Sequence, residues 1–416
     1  MSLVLPEIFR GEGTIIHYSK TVLEFRSHVP MTDQWAYFDT ASTGLIPDFV
    51  YDGVRRYMDN RYLFGGDSRW EYADSSVDTL EMMRRSKNAL AKMLRCDACD
   101  IAFGLSSTQM FTLVTEGIDF GPNDNVVTVD NGWIGTRYAW QKRQEEGLSV
   151  RFVNPENGVI TPEMLIAACD KHTRAISVNL VESTTGFRLD IDRLGEWCKA
   201  HDVLLFVDAV QALGVLNVDV KRANIDFLVG NDYKWMMNFC GTGYAYVSAK
   251  VRSLIKHWGV GWMSDSERFN TEKAHIDIRN DSGRFEIGHQ HNEGIYGLGL
   301  VAAQNAELGM ENIEAYVLEL AKYLKEKVKC TEGLRLAYAF EPENSSQIIP
   351  MILGPDLSVT EADFEAAKVF VRMKPLGTSG YREVRIGLHY YNNKTDVDRF
   401  FDVINNCKEK SRKGGA

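Results

Sequence analysis

The chain has 416 residues, 44% hydrophobic and 25% charged, which suits one large globular domain joined to a smaller one. A formal net charge of −10 sets its surface against nucleic acid and anionic membranes, and no apolar run approaches the roughly 18–20 residues that span a bilayer. The start, MSLVLPEIFRGEGTIIHYSK, lacks the basic and long apolar segments of a signal peptide, so a cytoplasmic protein is expected. Seven scattered cysteines give no disulfide framework, and the lone Cys96/Cys99 CxxC lacks the second pair or spaced histidine of a zinc site.

In chain order, VDTLEMMRRSKNALAKML at 77–94 carries apolar residues near a 3.6-residue period and predicts an amphipathic helix. Short apolar runs follow at 101–105, 125–130, 149–153, 174–181, 203–208, 226–230 and 243–248. Several are apolar throughout, as strands covered on both faces must be. Between them, 136–146, 162–171 and 190–201 have helical length, with Thr161-Pro162 reading as an N-cap followed by proline at the first helical position. This alternation predicts an α/β fold with a largely parallel sheet between helices, its ligand beyond the carboxyl ends of the strands. From about 290 the texture changes: a long helix at 293–329, candidate strands at 335–340, 347–353 and 383–388, and a final helix at 395–407 predict a smaller α/β domain.

The residues that follow each run carry the chemistry. Asp208 ends VLLFVD, where burial of a carboxylate is costly unless a cation pairs with it. A protonated pyridine nitrogen is one such partner; capping of the next helix is the other reading. Gln211 lies one helical turn on. Lys234 follows DFLVG amid Tyr233, Trp235, Met236 and Met237, an apolar setting that lowers an amine's pKa and frees it to attack an aldehyde. Asn231 and Tyr233 offer polar groups to a phosphate, and Gly241-Thr242-Gly243 lets backbone approach closely. Ser106, Ser107 and Thr108 precede a helix whose free N–H groups suit a phosphate, although such a cap also serves structure alone. Trp133, after NVVTVD, either stacks on a flat ring or fills the core. Arg385, between Val384 and Ile386, meets either an internal carboxylate or that of a substrate. His289 and His291 form an HxH with no third ligand nearby, so no metal is expected.

Taken in order from YFDTASTGLIP at 37–47 to VRIGLHYYN at 384–392, these stretches resemble the class V aminotransferase group of fold-type I pyridoxal 5′-phosphate (PLP) enzymes. That group includes cysteine desulfurases, isopenicillin N epimerase-like proteins, kynureninases and carbon–sulfur lyases. The resemblance implies a large PLP-binding domain at 31–290 with a mainly parallel seven-stranded sheet. It also implies a small C-terminal domain at 291–416, which the arm at 1–30 joins. It makes Lys234 the Schiff-base lysine and Asp208 the partner of the pyridinium nitrogen. Gln211 falls at the contact to the phenolic oxygen, Ser107 and Thr108 at the phosphate turn, and Asn231 and Tyr233 at two further phosphate positions. Trp133 falls at the stacking position and Arg385 at the grip on the substrate carboxylate. Two positions depart from the pattern. His289 replaces a threonine that reaches the neighbouring subunit's phosphate, and Ser183 stands where cysteine desulfurases have an asparagine beside the phenolic oxygen. A homodimer with active sites at the interface is implied.

The resemblance therefore implies a class V aminotransferase acting on a small α-amino acid. Epimerisation of the isopenicillin N epimerase type and carbon–sulfur β-elimination are the alternatives, and STTGFRLDID at 183–192 looks closest to the epimerase-like branch. A persulfide-forming desulfurase needs a mobile cysteine in its small domain, and residues 331–406 contain none. A non-catalytic PLP-binding regulator would need a DNA-binding module, for which neither terminus has the length or charge.

Overall fold

The computed structural model describes residues 19–414, apart from 65–69, 73, 74, 78, 269, 271 and 379. All seven apolar runs pair into one sheet: β1 (Ile101–Gly104), β2 (Asn125–Val129), β3 (Ser149–Val153), β4 (Thr173–Asn179), β5 (Leu204–Asp208), β6 (Phe227–Asn231) and β7 (Gly243–Val247). Their order across the sheet is β1-β7-β6-β5-β4-β2-β3, parallel except for β7, which runs antiparallel to both neighbours. The continuous apolar runs have the predicted cause. In β5, Leu204 and Phe206 enter the core around Phe111 and Trp140, while Leu205 and Val207 enter the main core on the other face. Trp140 stacks on Phe206 with ring planes 2° apart. Exposed residues are confined to Ser149 of the edge strand β3 and Arg174 near the start of β4.

A second, antiparallel sheet contains β8 (Leu334–Leu336), β9 (Ile348–Leu353), β10 (Met373–Pro375) and β11 (Arg382–Gly387) in the order β8-β9-β11-β10. Ala36–Tyr37 pairs in parallel with Val369–Phe370, and Asp39 bridges Gly387 beyond it. Further upstream, Arg26 donates to Asp396 and to the Tyr391 carbonyl. Residues 1–18 of the expected N-terminal arm lie outside the described residues.

Several element boundaries differ from expectation. The helix predicted over 293–329 is two helices, Asn292–Leu308 and Met310–Lys329, because Gly309 adopts φ +81°, a conformation that ends the first helix. The helix over 162–171 stops at Ala167. The strand over 335–340 shrinks to Leu334–Leu336, and Tyr338 and Phe340 instead stack ring on ring. The first amphipathic helix begins at Thr79, two residues past Val77. The Asp48–Phe64 helix has no counterpart among the predicted elements. Among the described residues no helix is long and apolar enough to cross a membrane.

Candidate active site

The carboxyl ends of β1, β4, β5 and β6 and the amino end of β7 share one margin. Asn179 is in register with Asp208, and Gly243 with both Asn231 and Gly104. A cavity of about 170 Å³ opens there, lined by Ser107, Thr108, Trp133, Ser183, Asp208, Gln211, Asn231, Tyr233 and Lys234. Nine of the eleven site residues expected from sequence thus meet in one place. Arg385 reaches the rim, its Nη1 donating to the Ser183 carbonyl at 3.0 Å. His289 does not join them: it lines a neighbouring hollow with Gln109 and Ile287, its ring 5.3 Å from that of Trp262.

At one end of the cavity the Ser107–Thr115 helix begins. Ser106 caps it, its hydroxyl accepting from Gln109 N at 3.1 Å, which leaves the Ser107 and Thr108 N–H groups without intrahelical partners. A Cβ on Gly243 would fall 2.1 Å from the Ser106 carbonyl carbon, so the glycine loop packs directly behind this turn. Asp232 fixes that loop by accepting from Thr242 N at 2.9 Å, while its other oxygen is buried without a partner. Burial pushes the Asp232 carboxyl up to about 7, partly offset by backbone and Thr242 hydrogen bonds.

At the other end Lys234 Nζ lies 5.3 Å from the centroid of the Trp133 ring and 5.8 Å from that of Tyr233. Burial lowers the Lys234 pKa, Asp208 opposes the shift, and Arg385 adds to it. Burial likewise raises the Asp208 pKa, against the Val210 N–H at 3.0 Å and the Lys234 charge. Burial thus drives both groups toward their neutral forms. A cation beside Asp208 would restore its charge, so the pair is chemically suited to a protonated ring nitrogen and an aldehyde. Gln211 is held on both sides: its Nε2 donates to the Ala41 carbonyl at 3.1 Å and its Oε1 accepts from Trp235 Nε1 at 2.8 Å. One amide hydrogen remains for a ligand. Trp133 is half exposed, as a ring forming one wall of an open site would be.

Larger clefts of about 450 and 570 Å³ lie elsewhere, and much of the charge on their walls is paired within the protein. Arg188–Glu314 and Arg193–Glu163 in the first, and Lys87–Glu286 and Arg279–Asp281 in the second, are ion pairs of 2.6–2.8 Å. Among the described residues no three His, Cys, Asp or Glu side chains gather as metal ligands.

Some site residues are not foreseen from sequence. Asn179 lines the cavity but sits inside the apolar run at 174–181; the strand ends at Asn179, two residues early. Asp232 adjoins expected site residues without standing out itself, and Thr242 is foreseen only as part of the glycine loop. His389, in VRIGLHYYN, supports the lysine turn by donating from Nε2 to the Trp235 carbonyl at 3.0 Å. Gly44 N donates to the Tyr233 carbonyl at 2.8 Å. No local pattern signals either contact.

The seven-stranded sheet and the residues at its margin define the fold-type I architecture of PLP-dependent enzymes. Residues 36–400 match the family described as aminotransferase class-V, and the chain belongs to that PLP-dependent family. It is 24% identical over 400 residues to a probable cysteine desulfurase of Methanothermobacter thermautotrophicus, covering 92% of this chain and 96% of that one. An uncharacterized aminotransferase of Schizosaccharomyces pombe is 23% identical over 392 residues, covering 91% and 94%. Among solved structures it resembles the cysteine desulfurase CsdA of Escherichia coli, with TM-score 0.79, 17% identity and coverage of 94% and 98%. The cystine C–S lyase C-DES is similar at TM-score 0.77 and 17% identity, covering 90% and 98%.

Proposed function

We propose that the protein converts a small α-amino acid with PLP held on Lys234, working as a homodimer. The observation that carries this reading is a buried, unpaired amine facing a buried carboxylate at the margin where a helix N-terminus supplies free N–H groups. When bound, PLP supplies an aldehyde for an amine to condense with and a ring that withdraws electrons from the substrate's α-carbon. Asp208 holds the ring nitrogen's proton. Ser107, Thr108, Asn231 and Tyr233 would hold the phosphate, Gln211 and Ser183 would serve the phenolic oxygen, and Trp133 would wall the ring. Arg385 orients the substrate by its carboxylate, and Lys234 Nζ, once released, carries the α-proton.

Carbon–sulfur cleavage is the second reading, supported by relatives named as desulfurases and by the likeness to a cystine lyase. The absence of cysteine from 331–406 favours elimination over transfer of sulfur to a protein thiol. Transamination and epimerisation use the same residues and differ in where the proton returns.

Purified protein should be yellow, and Lys234→Ala should lose that visible absorbance. Asp208→Asn should still bind PLP, by equilibrium dialysis, but lose at least about 100-fold in turnover. A fully active Asp208→Asn enzyme would show that the ring nitrogen does not depend on this carboxylate.

A further inference from the structure

The segment YFDTASTGLIP touches three parts of the site at once. Its Ala41 carbonyl holds Gln211, its Gly44 N–H holds the lysine turn, and its Asp39 and Ser42 meet Arg385. We propose that Asp39 and Ser42 are positioning residues that aim the Arg385 guanidinium at the substrate's carboxylate. The inference rests on Arg385 being the substrate's carboxylate grip and adds what orients it.

The geometry is a relay. Arg385 Nη2 donates to Ser42 Oγ at 2.8 Å, and the Ser42 hydroxyl donates to Asp39 Oδ1 at 2.8 Å. Nη1 is held from the other side by the Ser183 carbonyl at 3.0 Å. Asp39 is nearly inaccessible and cannot drift: its backbone bridges Gly387, and its carbonyl accepts from Ser42 N and Thr43 N. A simple internal salt bridge would bring the carboxylate onto the guanidinium fork directly. Here Asp39 stands off at 3.7 Å with a hydroxyl interposed, so the fork is oriented without being consumed. Two of its five N–H groups are used and three remain.

Charge points the same way. The second Asp39 oxygen lies 3.6 Å from Arg372 Nε, so two guanidinium groups share one carboxylate. One positive charge is left over at the rim of the cavity, which one substrate carboxylate would neutralise.

The PLP-loaded protein is titrated with L-alanine and with ethylamine, which lacks the carboxylate, following both cofactor absorbance and tryptophan fluorescence. Wild type should prefer L-alanine, and Arg385→Ala should abolish the preference. Ser42→Ala should cut it about 10-fold, the size expected for a lost hydrogen bond to a charged group, and Ser42→Thr, which keeps the hydroxyl, should restore it. Adding Ser42→Ala to Arg385→Ala should cost nothing further, because the serine acts through the arginine. An unchanged preference in Ser42→Ala, a Ser42→Thr protein no better than Ser42→Ala, or losses that add in the double variant would each overturn the proposal. A preference that survives Arg385→Ala would instead overturn the carboxylate role of Arg385.

Discussion

A methyl group on Gly44 would come within 1.9 Å of the Lys234 carbonyl oxygen, and the atom it meets is backbone, which cannot swing aside. Gly44→Ala should therefore destabilise the protein by about 1–3 kcal/mol, as overpacking does, and weaken PLP retention together with it. Thermal melting of the two proteins, with and without PLP, checks this; an unchanged Tm would mean that the segment yields freely. The same contact shows what is legible residue by residue. Lys234 and Asp208 are readable because each ends an apolar run, and a charged group there is conspicuous without any knowledge of its neighbours. Asp39, Ser42 and Gly44 are not, since each takes its part from a residue 189 or more positions away. Asp232 is hidden because a carboxyl beside a lysine reads as an ordinary polar neighbour. Its burial is set by the glycine loop folding back over it.

At the scale of elements, the turn after β6 is braced from the second sheet. His389 follows β11 and is fully buried, its Nε2–H on the Trp235 carbonyl and its Nδ1 without a partner. Burial pushes this imidazole down to about 3, from an ordinary value near 6.5. The unfolded chain thus takes up a proton as pH falls through about 6.5, while the folded one resists until about 3. Stability is fully present above the unfolded value and is lost toward acid, by about 1.4 kcal/mol per pH unit across that window. Asp232, pushed up to about 7, pulls the opposite way over the same window, so His389 is read by difference: in urea unfolding between pH 7 and 5, His389→Asn should change the slope by about 1.4 kcal/mol per pH unit while lowering stability at pH 7. An identical slope in both proteins would assign the acid sensitivity to other groups. The sheet itself is legible, because strands buried on both faces write themselves as unbroken apolar runs. The break at Gly309 is not, because apolar periodicity continues through it on both sides and only the backbone angle interrupts the helix.

For the whole molecule, the mouth of the cavity is unusually apolar for a surface. Leu105 and Trp133 stand exposed in its lining, Ile134 and Tyr138 are exposed just after Trp133 in the chain, and Ile287 and Trp262 are exposed beside His289. A second copy of the chain laid over this face would bury these side chains. Sedimentation velocity should find a dimer at micromolar concentration, with Ile134→Glu shifted toward monomer and binding PLP more weakly. A wild-type monomer that binds PLP tightly would rule out a site shared between subunits. The two-sheet arrangement is visible in the change of texture near residue 290. The way 36–44 wedges between the sheets is not, because it depends on a pairing between opposite ends of the chain.

That pairing orders events in time. Ser42 and Arg385 are 343 positions apart, so a chain emerging from the ribosome displays its lysine, its aspartate and its phosphate turn long before its guanidinium. A polypeptide halted between residues 250 and 380 would carry the groups proposed to take up the vitamin but none proposed to recognise an amino acid. The order of synthesis thus places the groups proposed for the cofactor ahead of the guanidinium proposed for the substrate.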